Sequence, residues 1–220
     1  MLLGFSAFLL LYSLSGNLNL LYSLLIGCSV LCFYSWHSLK LNLCIKALVV
    51  IPILTFVAFK LPISQACFYS LALLFSLCYS YLRNIPYLKA LVISLTWSFV
   101  VLGALTNVGV YGYLVNAIFF FTFFFILSTA SDYNSKESDP SSLKTLPQLL
   151  PWTTIRWLYA ALFCLLTLYS TYFLPAYSLG SFFVGISGIF LVFIIPEQPF
   201  TLNLDPLILI FALGNICGKL

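Results

Sequence analysis

Three long stretches of this sequence contain no charged residue: residues 1–39, 90–131 and 157–196. A helix that crosses the hydrocarbon core of a bilayer needs about 20 predominantly apolar residues, so each stretch is long enough for two such helices. Charged residues make up only 6% of the chain and hydrophobic residues 63%, whereas a soluble domain carries about 25% charged residues. The chain is therefore expected to be an all-α integral membrane protein.

A turn-favouring cluster near the middle of each charge-free stretch divides it into two predicted helices. The clusters lie at residues 15–17, 106–112 and 174–175. They contain Gly, Asn, Ser or Pro, which favour turns. Three further apolar segments each accommodate one helix. The sequence thus predicts a single polytopic domain over residues 1–220. Its nine transmembrane helices are predicted at residues 2–14, 18–36, 43–59, 63–82, 90–106, 112–130, 153–173, 178–195 and 206–218.

The basic residues are distributed unevenly between the two sides of this predicted bundle. All of them except Lys60 and Lys219 fall on the side that holds the N-terminus. Lys and Arg are enriched in cytoplasmic loops, so the N-terminus is predicted to be cytoplasmic, in a cell (inner) membrane. No basic residue precedes the first apolar run, so a cleaved signal peptide is not expected. The loops predicted to share the cytoplasmic side are 37–42, 83–89, 131–152 and 196–205.

The composition excludes several classes of function. Nine basic residues against five acidic ones, spread along the chain, form no clustered basic face for nucleic acid. The seven cysteines lie almost entirely in apolar runs and lack CxxC spacing, so they are expected to pack as small hydrophobic residues. A transporter is the least favoured membrane function, because hardly any ionisable residue lies deep in a predicted helix.

Two packing features are compatible with more than one interpretation. Gly214 and Gly218 form a GxxxG pattern, which permits close approach of membrane helices but also arises by chance. The chain contains 22 Phe, 14 Tyr and 4 Trp. These rings are able to line a pocket that shields a carbocation, or simply to face lipid and pack the bundle.

All five acidic residues lie at or beyond Asp132, on the predicted cytoplasmic side. In the loop 131–152, Asp139 follows Asp132 after seven residues. This is about two helical turns, so both carboxylates would project from one face if the helix continued. Mg²⁺ is commonly held by one or two carboxylates together with phosphates and water, and Lys136 and Lys144 offer positive charge to phosphate oxygens. On spacing alone, an ordinary solvated loop remains an open alternative.

The segment from Asp132 to Pro147 resembles the second aspartate-rich motif of the UbiA family of intramembrane prenyltransferases. That motif reads Asp-x-x-Asp-x-x-x-Asp and is followed by a Lys-Thr-Leu-Pro-like segment. Asp132 and Asp139 match its first and third acids, and residues 144–147 match the tail. The loop 82–89 is similar to the Tyr- and Lys-containing connection before the family's fifth helix. The family's nine-helix bundle with a cytoplasmic N-terminus agrees with the predicted topology.

The resemblance implies transfer of an isoprenyl group from a prenyl diphosphate to a lipid-soluble, typically aromatic acceptor. It implies that Asp132 and Asp139 are catalytic residues that bind Mg²⁺ as a cofactor. The residues that it implies for binding of the diphosphate substrate are Lys89, Lys144, Arg83, Asn84 and Tyr87.

Two features depart from the family pattern. Ser135 stands in place of the middle acid, and the family's first motif, Asn-Asp-x-x-Asp or a variant, is missing at the end of the second predicted helix. No Asp or Glu precedes Asp132 anywhere in the chain. His37, the only histidine, lies in that region. It is able to fill part of the missing motif as a phosphate donor or metal ligand, but an interfacial residue beside Trp36 is the favoured interpretation. The alternative to an active enzyme is therefore a catalytically degenerate relative that binds a prenyl lipid or has a structural role in the membrane.

Overall fold

The described part of the chain is entirely helical. The computed structural model describes residues 61–82, 85–105, 108–134, 144–194 and 206–217, and these ranges contain no strand. A 3-10 turn is present at Pro175–Tyr177. The all-helical fold class is therefore confirmed for these residues. The helices are α1 Ile63–Leu82, α2 Leu88–Ala104, α3 Val110–Asn134, α4 Leu146–Leu149, α5 Trp152–Phe173, α6 Ser178–Ile194 and α7 Pro206–Cys217.

Six predicted segments fall on described residues, and each coincides with a helix there. The largest difference is at α3, which continues past the predicted end at residue 130 through Asp132 to Asn134. Helix α2 begins at Leu88, so Lys89 lies in its first turn and not in the preceding loop. The short helix α4 occupies part of the predicted loop 131–152. The segments predicted at 2–14, 18–36 and 43–59 lie outside the described residues.

Two helical stretches are long and apolar enough to cross a membrane, namely Val110–Tyr133 and Pro175–Ile194. Less than half of each is buried against the rest of the described chain. Large apolar side chains on the outer surfaces of α5 and α6 are exposed, including Leu165, Phe182 and Phe190. Exposed apolar side chains of this size and number are uncommon on soluble monomers, so they support a membrane protein.

Helix α3 connects two groups of packed helices. In one group α1 packs on α2 and α2 on α3; in the other α5 packs on α6 and α6 on α7. Helix α3 also contacts α5, and its aromatic rings surround Phe211 of α7. The ring centroid of Phe211 lies 5.6 Å from those of Phe119 and Phe123 and 6.1 Å from that of Phe120, within the range of favourable aromatic contacts. This aromatic core anchors α3 to α7 of the second group.

Helices α6 and α7 approach each other closely at Gly180 and Gly214. A methyl group on Gly214 would lie 2.7 Å from the Cα of Gly180. A methyl group on Gly180 would collide with Oδ1 of Asn215 and lie 2.7 Å from the carbonyl oxygen of Phe211. Small residues allow such close approach of helix backbones. Gly214 thus has a packing role opposite a glycine of the neighbouring helix, whereas Gly218 lies outside the described residues.

Candidate functional site

A buried ion pair joins the beginning of α2 to the end of α3. Lys89 Nζ lies 2.9 Å from Asp132 Oδ1, and the two side chains are 12% and 3% exposed. The structure therefore brings together two residues that the sequence assigns to separate segments of one substrate site. A surface ion pair contributes only about 0–1 kcal/mol. Breaking a pair at this depth costs more free energy, because removal of one partner leaves the other charge buried and uncompensated.

Each charge of the pair lies at the unfavourable end of its own helix. Lys89 is in the first turn of α2 and Asp132 is in the last turn of α3. The helix dipole favours anions at the N-terminus and cations at the C-terminus, by about 0.3–1 kcal/mol. Helix stability therefore does not account for either position. The ion pair between the two helices compensates for both unfavourable positions. This makes the pair a candidate for function.

Small polar residues hold α2 and α3 together next to the ion pair. The hydroxyl oxygens of Ser94 and Ser128 lie 3.0 Å apart, and the Ser128 hydroxyl is also 3.2 Å from the carbonyl oxygen of Ala90. Ala90, Ser94 and Ser98 recur every four residues on α2 and are all buried. Small residues at this spacing allow close helix contact, and their hydroxyls form hydrogen bonds across it. The α2–α3 contact therefore positions Lys89 opposite Asp132.

Two residues of the predicted substrate site have a left-handed backbone. Tyr87 has a φ of 66° and Lys144 a φ of 48°, and they are the non-glycine residues with positive φ in the described ranges. This conformation costs a non-glycine residue about 1–2 kcal/mol. Both side chains are exposed, Tyr87 just before α2 and Lys144 just before Thr145, which precedes α4. Because such strain concentrates at functional sites, it supports a role for both segments.

We expect Tyr87→Gly to raise the free energy of unfolding by about 0.5–1 kcal/mol, because glycine adopts a positive φ without a steric penalty. Reversible unfolding in SDS, followed by far-ultraviolet circular dichroism, measures the change. Tyr111→Gly is the matched control, because Tyr111 is exposed within α3 and glycine in a helix costs about 1 kcal/mol. A loss of stability for both variants would contradict the argument from strain.

A second set of polar residues lies beside the same end of α3. The ring of Trp152, at the start of α5, is centred 4.6 Å from the ring of Tyr133. The Tyr159 hydroxyl lies close enough to Asp132 for an electrostatic interaction. Thr145 precedes α4, which packs on α3. We name Trp152, Tyr159 and Thr145 the donor cluster.

The sequence interpretation did not identify the donor cluster. Its position beside Asp132 arises because α5 folds back along α3, and hydropathy carries no information about which helices become neighbours. One signal was available: Trp152 and Tyr159 are seven residues apart, about two turns, and so share a helix face. Two other predicted substrate residues, Arg83 and Asn84, lie outside the described residues, as do Asp139 and His37.

Asp132 is the one expected magnesium ligand that the structure describes. Within the described ranges there is no group of three or more His, Cys, Asp or Glu side chains that could hold a metal ion, and one oxygen of Asp132 contacts Lys89. Mg²⁺ is often bound by one or two carboxylates with the remaining ligands supplied by substrate phosphates and water. Asp132 by itself supplies at most one carboxylate of such a site, and Asp139 lies outside the described residues.

No family model, no curated protein and no solved structure matches the chain. The resemblance of residues 83–150 to the UbiA motifs consequently depends on those residues alone.

Proposed function

We propose that the chain is a UbiA-like prenyltransferase, which transfers an isoprenyl group from a prenyl diphosphate to a lipid-soluble aromatic acceptor within the membrane. The observation that carries the proposal is the buried pair of Lys89 and Asp132, because it joins the two segments in which the sequence resembles the family. The exposed apolar faces of the helices support a multi-pass bundle. The proposal includes nine transmembrane helices, with the motif loops on the cytoplasmic face of the cell (inner) membrane.

In this proposal the diphosphate binds at the end of α3 and the prenyl chain extends into the apolar bundle. Asp132 and Asp139 would hold Mg²⁺, and the ion would supply positive charge that stabilises the departing diphosphate. Lys89 exchanges its contact with Asp132 for one with a phosphate oxygen, and charge-assisted bonds of this kind are the stronger ones. The residues proposed to bind the diphosphate are Lys89, Lys144, Arg83, Asn84 and Tyr87.

The reaction breaks the bond between the allylic carbon and the diphosphate oxygen and forms a bond from that carbon to the acceptor, which releases a proton. The diphosphate leaves with the electron pair of the broken bond. Phe120 and Phe123 of α3 are almost completely buried in the core, and aromatic faces of this kind attract a developing cation. Exclusion of water by the bundle protects that cation from hydrolysis.

Asp132→Asn is expected to lower the rate of prenyl transfer at least about tenfold, because the neutral amide is a poor ligand for Mg²⁺. The assay uses purified protein in lipid nanodiscs, Mg²⁺, radiolabelled prenyl diphosphates of several chain lengths and a panel of phenolic acceptors. Ser131→Ala serves as control, because Ser131 is the exposed neighbour of Asp132 on the same helix. Equal turnover by wild type and Asp132→Asn would refute the assignment.

The second candidate function is a degenerate relative that binds a prenyl diphosphate without transferring it. Three observations favour it: Asp132 is already neutralised by Lys89, Ser135 replaces an acid, and no acid precedes Asp132. Saturable binding of a non-hydrolysable prenyl thiodiphosphate, with no transfer to any acceptor in the panel, would favour this candidate over the enzyme.

A further inference from the structure

Arg156, Trp157 and Phe193 meet at one end of the α5–α6 pair. Cζ of the Arg156 guanidinium lies 5.7 Å from the ring centroid of Phe193, within the range of a cation–π interaction. The Trp157 ring packs edge-to-face against the same ring, with centroids 4.9 Å apart. Arg156 and Trp157 lie in the second turn of α5, and Phe193 lies in the last turn of α6. We name these three residues the α5–α6 patch.

The α5–α6 patch lies at the level expected for lipid headgroups. The stretch Pro175–Ile194 has 20 residues and is long and apolar enough to cross a membrane, and about 20 apolar residues span the hydrocarbon core. Because Phe193 lies in the last turn of this stretch, the patch would lie where the hydrocarbon meets the headgroups. Trp157 is 64% exposed and Phe193 is 38% exposed. Exposed aromatic rings are typical of that interface.

No carboxylate of the described ranges compensates the charge of Arg156. Asp132 is the single acidic residue in those ranges, and it contacts Lys89. Nε of Arg156 is buried and has no hydrogen-bond partner among the described residues, while the side chain as a whole is half-buried. A guanidinium is always charged and carries five N–H donors. The Phe193 ring attracts the cation but supplies no acceptor oxygen, so an anion with acceptor oxygens complements the patch.

Next to the patch, apolar side chains of α6 form an exposed face. Phe190 and Ile186 lie one and two turns before Phe193, on the same side of the helix, and are 62% and 53% exposed. An acyl chain fits along this face while the phosphate of the same lipid reaches Arg156. A phospholipid therefore complements both parts of the surface, whereas a soluble phosphate complements only the cation.

We propose that the α5–α6 patch binds the phosphate of an anionic phospholipid, with an acyl chain along Phe190 and Ile186. Phosphate accepts bidentate, charge-assisted hydrogen bonds from a guanidinium. A zwitterionic lipid carries an ammonium of its own beside the phosphate, so its attraction to Arg156 is weaker. The binding is independent of prenyl transfer, and failure of the proposed function leaves it intact.

The test measures quenching of tryptophan fluorescence by brominated phosphatidylglycerol or brominated phosphatidylcholine. The purified protein is placed in nanodiscs of dioleoylphosphatidylcholine in which increasing fractions are replaced by either brominated lipid, and the signal of Trp157→Phe is subtracted to isolate Trp157. We expect the anionic lipid to bind beside Trp157 about fivefold more strongly, the equivalent of about 1 kcal/mol for one basic residue at an anionic surface. Arg156→Gln should abolish this preference.

Two further variants separate a bound headgroup from general attraction by positive charge. Lys144→Gln removes the same charge at an exposed position outside the patch and should leave the preference unchanged. Arg156→Lys keeps the charge but loses the planar, forked donor group, so the preference should fall to about twofold. If Arg156→Gln fails to fold, as judged by circular dichroism, Arg156→Lys still tests the proposal.

Equal binding of the two lipids by the wild type would overturn the proposal, and so would an undiminished preference in either Arg156 variant. Displacement of phosphatidylglycerol by inorganic diphosphate would overturn it too, because Arg156 would then belong to the diphosphate site.

Discussion

Lys89→Met is expected to lower the free energy of unfolding by about 3 kcal/mol, because it leaves the carboxylate of Asp132 buried without its partner. Breaking a buried ion pair costs roughly 3–5 kcal/mol. The lower end of that range applies here, since the Lys89 side chain keeps 12% of its surface exposed. The change is measured by reversible unfolding in SDS, followed by circular dichroism.

The double variant Lys89→Met/Asp132→Leu should recover most of this loss, because an apolar pair of similar volume incurs no cost of charge desolvation. The same double variant should bind no prenyl diphosphate. Lys144→Met is the control for loss of a positive charge, and because Lys144 is exposed it should change stability by less than about 0.5 kcal/mol. A double variant as unstable as Lys89→Met alone would show that the two charges do not act as a pair.

A double variant that regains its stability but does not bind prenyl diphosphate would have a direct meaning for function. Residues at the unfavourable ends of two helix dipoles, paired in a buried position, lower stability relative to an apolar contact. Proteins retain such arrangements where the charges are needed for binding or chemistry. Lys89 and Asp132 would then be retained for the substrate, and their mutual contact would keep both charges compensated until the substrate arrives.

The helices of the described residues could largely be predicted from the sequence, because charged residues and turn-forming clusters separate the apolar runs. The differences between the predicted and the observed helices lie at helix ends that carry a charged residue. The sequence predicts that the fifth helix begins after Lys89 and that the sixth ends before Asp132, since isolated charges normally lie outside a span. In the structure each charge is compensated by the other, so both helices extend over them.

The candidate site could be predicted only in part. The motif resemblance selected Lys89 and Asp132, which do meet, but it gave no reason to expect their direct contact. The donor cluster depends on the contact between α3 and α5, and no local pattern encodes which helices become neighbours. In the same way, Gly214 belongs to a recognisable small-residue pattern, whereas its actual contact, Gly180 of α6, is apparent only after folding.

Gly180→Val is expected to destabilise the bundle strongly. Even the first added carbon would collide with Oδ1 of Asn215 and lie 2.7 Å from the carbonyl oxygen of Phe211. Both belong to α7, and a helix backbone does not yield as a flexible side chain does, so α6 and α7 must separate. Overpacking typically costs about 1–3 kcal/mol and occasionally more. The upper part of this range is expected, because Phe211 contacts the aromatic core of α3 and would be displaced with its helix.

Gly109→Ala is the matched control, because no atom lies within 4 Å of a methyl group at that position. Since alanine also restricts the unfolded chain, it should leave stability unchanged or raise it by up to about 1 kcal/mol. The pair of variants is compared by SDS unfolding in the same detergent. If α6 and α7 pack as described, Gly180→Ala should fall between the control and Gly180→Val, because the cost depends on the added volume. Equal stability of Gly180→Val and Gly109→Ala would exclude the close contact between α6 and α7, and with it the anchoring of α7 to the core beside the candidate site.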